Sequence, residues 1–279
     1  MSDLQKYILN NHPVWRGNLN KMDGCPLPFP VRFVIRPLNR TDADAMGSLS
    51  ADIYRHLNRD EECFIHKHEK SYYNQIFDNP DIHYIGVFAG AHLIGMSYLH
   101  ICRTAGQLAD ELPGNPVNFF ERRNNARIAA LGADCVRPEY RGNALNQIMI
   151  ACRLDLAKEL NCTDAVSIID RRNHWNMPPY FNNGFHMFAT AIDPADNGQI
   201  ALMHHNLNHT GQTLPSRGIS IPYNRFNIID NLLAKGFVGS SYDKNANTIL
   251  FTPTSRAVRG LNRDLTAAAV IRTLGARHV

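Results

Sequence analysis

The feature that most constrains this chain is a junction near its middle. ARIAALGADCV (126–136), a strand rich in small residues, runs into RPEYRGNA (137–144), and that turn opens into a helical segment from Leu145 to Leu160. Apolar residues at 145, 148, 149, 152, 156 and 160 recur at helical spacing. Pro138 ends the strand, because its ring fixes φ and removes the N–H that a ladder needs. The residues after it must turn into a helix whose first amide donors have no intrahelical partner. With the positive end of the helix dipole, and with Arg137 and Arg141 nearby, those donors suit a diphosphate. A solvated basic turn is the plain alternative.

The flanking periodicities predict a mixed α/β layer architecture. FVIRPL (33–38) reads as a strand, and Thr41 as the N-cap of a helix carrying Met46, Leu49, Ile53 and Leu57. A shorter helix is expected around Tyr72, Tyr73 and Ile76. Strands over 82–88 and 92–101 are joined by Ala89-Gly90-Ala91, a hairpin signal. Strands follow at 165–169, 186–192 and 200–207, with a turn and short helix over 170–185 between the first two. A Gly/Pro/Thr/Ser-rich linker to about Pro222 leads to a helix (225–235), two strands (237–242, 248–253) and a terminal helix (262–274). Gly184-Phe185 and Gly236-Phe237 each fall between a helix and a strand pair, a weak hint of a repeat. Three parts result: an irregular N-terminal arm (1–32) containing Pro13, Pro26, Pro28 and Pro30, with a short helix near Leu4 to Leu9; a main domain (33–207); and a linker with a small α/β C-terminal extension (208–279). The polar stretch from Arg103 to Asn125 is long for a loop within a compact domain and reads as functional or mobile.

Charge and motif content exclude several classes. The 29 basic and 25 acidic residues leave a net charge of +4 without a Lys/Arg run, which disfavours a nucleic-acid partner. No apolar stretch approaches the roughly 18 residues of a membrane span, and the polar first 25 residues lead us to expect a cytoplasmic protein. The six cysteines contain no C-x-x-C pair and read as reduced thiols. Missing signatures include the P-loop, the dinucleotide G-x-G-x-x-G, H-E-x-x-H and G-x-S-x-G. Cys63-x2-His66-x-His68 lacks a fourth ligand at recognised spacing, so no metal is expected.

The run Val136-Arg137-Pro138-Glu139-Tyr140-Arg141-Gly142-Asn143-Ala144 resembles the acyl-CoA pyrophosphate loop of the GNAT superfamily of N-acetyltransferases. Asn173-x6-Tyr180-x3-Gly184-Phe185 is similar to the family's second signature, and the element order from Phe33 to Leu207 also matches. The resemblance implies a central, mostly antiparallel sheet splayed between two parallel strands, 126–136 and 165–169, with pantetheine between them. It implies acetyl-CoA or another acyl-CoA as co-substrate, bound by the backbone of Cys135 and Val136 and by Arg137, Arg141, Gly142, Asn143, Ala144, Leu145, Asn146 and Asn173. The acceptor would be the primary amine of a small molecule or protein, attacking the thioester directly, and Tyr180 would protonate the leaving thiolate. A homodimer is left open. Ala144 and Asn146 stand where the family pattern has Gly and Gly/Ala, which narrows the approach of a phosphate while leaving the main-chain donors in place.

No base can be carried over, because the strand 126–136 has Ala where some relatives have glutamate. Asp134 is the nearest acid, with a solvated loop-facing role as its alternative; ordered water is another route for the proton. His83, His100, His204 and His205 lie on strands where one could face the cleft. Two other functions share this fold reading: a longer-chain N-acyltransferase using acyl-CoA or acyl carrier protein, and a non-catalytic CoA-binding module whose residues 208–279 meet a partner.

Overall fold

A computed structural model of the chain describes residues 4–9, 12–57, 68, 70–112, 127–193, 197–208 and 218–254. It divides into two compact units, Met1–Ser167 and Ile168–Val279.

The first unit is built on strands that lie side by side in chain order: β1 (Gln5–Leu9), β2 (His12–Met22), β3 (Cys25–Pro37), β4 (Ile82–Ala89), β5 (His92–Cys102), β6 (Ile128–Val136) and β7 (Asp164–Asp170), whose last residues belong to the second unit. Neighbours pair antiparallel until the last pair, β6 and β7, which is parallel. A parallel neighbour requires a crossover, and here the chain crosses through a helix, α4 (Leu145–Glu159). Among the described residues the unit also carries three shorter helices: α1 (Ala43–Arg55), α2 (Lys70–Ile76) and α3 (Ala105–Glu111). Met46, Leu49 and Ile53 on α1 lie at spacings of three and four and bury one helix face against Tyr84, Leu93, Met96 and Cys135 of the sheet.

The second unit runs β8 (His186–Ile192), β9 (Gln199–Asn206), β10 (Ile219–Pro222), β11 (Phe237–Asp243) and β12 (Thr248–Pro253), ordered β9-β8-β11-β12-β10, with α5 (Met177–Asn182) and α6 (Phe226–Ala234). The order helix, glycine, phenylalanine, hairpin occurs twice. Gly184 and Gly236 both take positive φ (80° and 85°) after a helix, and Phe185 and Phe237 are both buried behind them. The two copies meet where β8 pairs β11 at Met187 and Gly239.

Several sequence expectations are corrected. The described residues of the arm over 1–32 form β1, β2 and the start of β3, and Gln5–Leu9 is extended rather than helical. Prolines are tolerated there because β3 pairs with β4 only from Phe33 onward, and its register with β2 shifts across Pro26–Val31. The cap before α1 is Asn39, whose Oδ1 accepts from the Thr41 N–H at 2.8 Å and opens a short 3-10 turn. Ile219–Pro222, expected as linker, pairs with β12. Cys63, His66, residues 113–125 and the 262–274 helix lie outside the described residues.

Candidate active site

In the first unit the site is built on β6. Its first four residues are held on both sides: Ile128–Leu131 pair with Cys102–Leu99 of β5 and with Asp164–Ser167 of β7. Ser167 Oγ donates to Leu131 O at 2.8 Å at the last of these pairs. Beyond it, among the described residues, the ladder of β6 with β7 stops and pairing continues with β5 alone, Gly132 to Tyr98, then Cys135 to Met96 and Val136 to Gly95. Two residues of β6, Ala133 and Asp134, stand opposite the single residue Ser97, and Ala133 has φ 51°. This is a β-bulge, and a bulge bends the strand that carries it. The parallel register of β6 with β7 implied by the resemblance is present over Ile128–Leu131, and the bulge follows directly after it.

The bulge is fastened from α4. Arg153 is fully buried; it donates to Tyr98 O (2.9 Å) and Gly132 O (3.2 Å) and pairs with Asp134, whose side chain is also buried. Carbonyls freed by the irregular ladder thus receive donors, and the buried cation receives a counter-charge. Asp134 is neither a free base nor a solvated loop acid, because its carboxylate is committed to Arg153.

Past the bulge, β6 turns backbone groups away from β5. Arg137 N–H donates to Ile94 O on β5 at 2.9 Å, so alternation turns the N–H and C=O of Val136 to the opposite edge. Arg141 Nε donates to that Val136 carbonyl at 3.3 Å. The Cys135 thiol is buried, with its Sγ 3.6 Å from Met96 O, and burial pushes it up to about 12. That makes it a packing residue rather than a nucleophile.

The turn that follows is pinned from a distance. Pro138–Tyr140 form one 3-10 turn, Gly142 takes φ 84° and Ala144 takes φ 56°, and α4 begins at Leu145, which is buried. Asn143 clamps the turn to the β2–β3 hairpin. Its Oδ1 accepts from the N–H groups of Asn20 (2.9 Å) and Lys21 (3.0 Å), and its Nδ2 donates to Lys21 O and Tyr140 O, both at 2.9 Å. Asp23 N–H adds a bond to Glu139 O at 2.8 Å. Arg141, Gly142 and Ala144 are exposed, and the Asn146 side-chain oxygen is buried. A Cβ built on Gly142 would meet nothing closer than Lys21 Cδ at 3.9 Å. The first intrahelical bond runs from Ile148 N–H to Ala144 O, which leaves the amides of the opening turn pointing out of the helix end. Arg137 departs from expectation. It pairs with Asp52 on α1 and its Nε donates to Leu93 O at 3.2 Å, so it braces α1 against the sheet.

In the second unit, Asn173 N–H bonds Asp170 O at 2.9 Å and the Asn173 carbonyl accepts from Asn176 N–H at 3.0 Å, which sets the 3-10 turn before α5. Tyr180 is buried on α5, its ring edge-on to Phe185 with centroids 5.1 Å apart. No three or more His, Cys, Asp or Glu residues come together to hold a metal ion among the described residues. No described helix is long and apolar enough to cross a membrane.

Three features escaped the sequence reading. The Asn143 clamp joins residues more than 120 apart and leaves no local pattern. Arg153 did leave one, since it lies four residues after Met149 and three before Leu156, inside the apolar stripe of its helix. The third is Glu111, from the stretch read as functional or mobile. Thr104 caps α3, Leu108 and Leu112 bury its inner side, and Glu111 is thereby held over β5.

The mixed α/β sheet has the mostly antiparallel strand order and the parallel β6–β7 pair that the resemblance implies. No protein-family model and no curated protein matches the chain. Among solved structures it is similar to Arabidopsis thaliana NAA60 in complex with acetyl-CoA, at 14% identity over 63% of this chain and 99% of that one, with a TM-score of 0.47. It is also similar to an N-acetyltransferase from Staphylococcus aureus Mu50 (12% identity, 63% of this chain and 99% of that one, TM-score 0.46). A third likeness is to the paia N-acetyltransferase from Thermoplasma acidophilum in complex with coenzyme A (18% identity, 62% and 98%, TM-score 0.45).

Proposed function

We propose that this chain is an N-acyltransferase that moves acetyl from acetyl-CoA to a primary amine in a ternary complex, through the domain over 33–207. The observation that carries this reading is the sequence of structures along one strand: β6 keeps its ladder with β7 as far as Leu131, turns the Val136 backbone groups away from β5 beyond a bulge, and ends in a turn at a helix N-terminus. In this reading the main chain of Cys135 and Val136 takes the pantetheine. The amides from Gly142 to Asn146, with Arg141, hold the diphosphate. The thioester supplies an activated acyl group with a thiolate as leaving group. Asn173 and Tyr180 are assigned from their motif, Tyr180 as the acid for that thiolate. The acceptor is a primary amine, on a small molecule or a protein.

Calorimetric titration with acetyl-CoA tests the donor. Saturable binding, weakened by Arg141→Ala, is expected, and no detectable binding would overturn the reading; tighter binding of a long-chain acyl-CoA would move the donor to that class. Tyr180→Phe should lower kcat by roughly ten- to a thousand-fold with acetyl-CoA affinity unchanged. Unaltered turnover would remove Tyr180 from the acid role.

A further inference from the structure

The transferase reading needs a group to take the proton of the attacking ammonium, and Asp134 is bound to Arg153. A different carboxylate meets the requirement. Glu111 on α3 sits over β5, where its Oε2 accepts from the Tyr98 hydroxyl at 2.5 Å and its Oε1 lies 2.7 Å from His100 Nδ1. All three side chains belong to the first unit. Tyr98 is opposite Gly132, the first residue of β6 beyond the last pair with β7. A Cβ on Gly132 would fall 2.6 Å from the Tyr98 ring and 3.0 Å from its hydroxyl oxygen, so a bare backbone at 132 makes room for the phenol over the strand. His100 Nε2 is buried and makes no hydrogen bond among the described residues, and its residue is only 8% exposed. Leaving a buried nitrogen without a partner is costly, and such sites call for a reason beyond packing.

We propose that Tyr98 is the proton acceptor for the amine, acting through Glu111, with His100 as the residue that positions Glu111. As the ammonium N–H proton passes to Tyr98 Oη, the phenol proton passes to Glu111; the amine is left neutral with its lone pair free for the thioester, and the added proton rests on the Glu111–His100 pair. This rests on the transferase reading and gives its missing base. Burial, reinforced by Glu111, holds the Tyr98 phenol well above its ordinary value. It therefore stays protonated and serves as a relay rather than a standing phenolate. Other titratable groups around the relay are consistent with this. Tyr72 on α2 and Tyr84 on β4 are both raised, chiefly by desolvation, and share a hydrogen bond. Cys102, next to Glu111, is pushed up to about 12 by burial and is neutral. Asp110 on α3 and Asp81 before β4 add negative charge, and Asp81 is bound by Arg103. Arg153 donates to the Tyr98 carbonyl and is neutralised by Asp134.

The test is a pH–rate profile on the full chain with acetyl-CoA and a simple primary amine, comparing parent, Glu111→Gln and Tyr98→Phe, with acetyl-CoA affinity measured alongside. At pH 7, kcat/KM for the amine should fall roughly a hundred-fold in both variants while acetyl-CoA affinity is unchanged. As pH rises through the amine's own pKa, bulk solvent supplies neutral amine and the deficit should close. A purely structural role would give the same deficit at every pH. His100→Asn, which keeps a polar side chain, should give a smaller deficit with the same pH dependence. A parent that acylates no amine sinks the transferase reading and this inference with it. A parent that does, with variants whose deficits are absent or independent of pH, sinks the inference alone.

Discussion

One strand of this protein lives under two regimes. Ile128–Leu131 of β6 is paired on both edges and buried, with every main-chain group served by a neighbouring ladder. Among the described residues, Gly132–Val136 has a ladder partner on β5 only, contains a bulge with a left-handed alanine, and takes side-chain donors at two carbonyls, Arg153 from α4 at Gly132 and Arg141 at Val136. The first half needs only small apolar residues. The second half needs particular ones, because strain and freed backbone groups persist only where surrounding contacts fix them. Regular pairing supplies stability, while the irregular half frees backbone groups from the ladder.

The sharpest way to break this contrast is Arg153→Met. It leaves Asp134 buried without its counter-charge and removes the donor from the Tyr98 and Gly132 carbonyls; a loss of about 3–5 kcal/mol in urea unfolding is expected. A loss under about 1 kcal/mol would mean the bulge does not depend on this arginine. Gly132→Ala comes next. The added methyl collides with the Tyr98 ring, at an expected cost of about 1–3 kcal/mol, and it should lower amine turnover by displacing the phenol. Wild-type stability and turnover would show that β6 yields there easily. Ser167→Ala is the mildest, removing one hydrogen bond at the fork and costing about 1 kcal/mol. The order of these three effects, read in one unfolding series, tests whether the irregular half is held mainly by Arg153.

Much of this contrast could be foreseen, and the remainder could not, for physical reasons. The strand, turn and helix from 126 to 160 were visible because small residues, Pro138 and a helical stripe are local signals. The bulge was hidden, since Ala133 and Asp134 look like any strand residues and only the register with Ser97 exposes the surplus one. Arg137 and Asp134 were plausible site residues from position alone. Their partners, Asp52 and Arg153, are 85 and 19 residues away, and long-range ion pairs leave no periodicity to read. The arm over 1–32 was misjudged because prolines that bar a central strand are allowed on a hairpin with an open edge.

That arm also sets where the protein can be cut. Asn143 is secured by Asn20 and Lys21, so a shortened version starting at Phe33, where the texture of the chain first looks domain-like, would discard the clasp on the turn before α4. Anyone trimming this protein for expression should keep the first thirty-two residues, since the shape of the turn is inherited from a hairpin more than a hundred positions upstream.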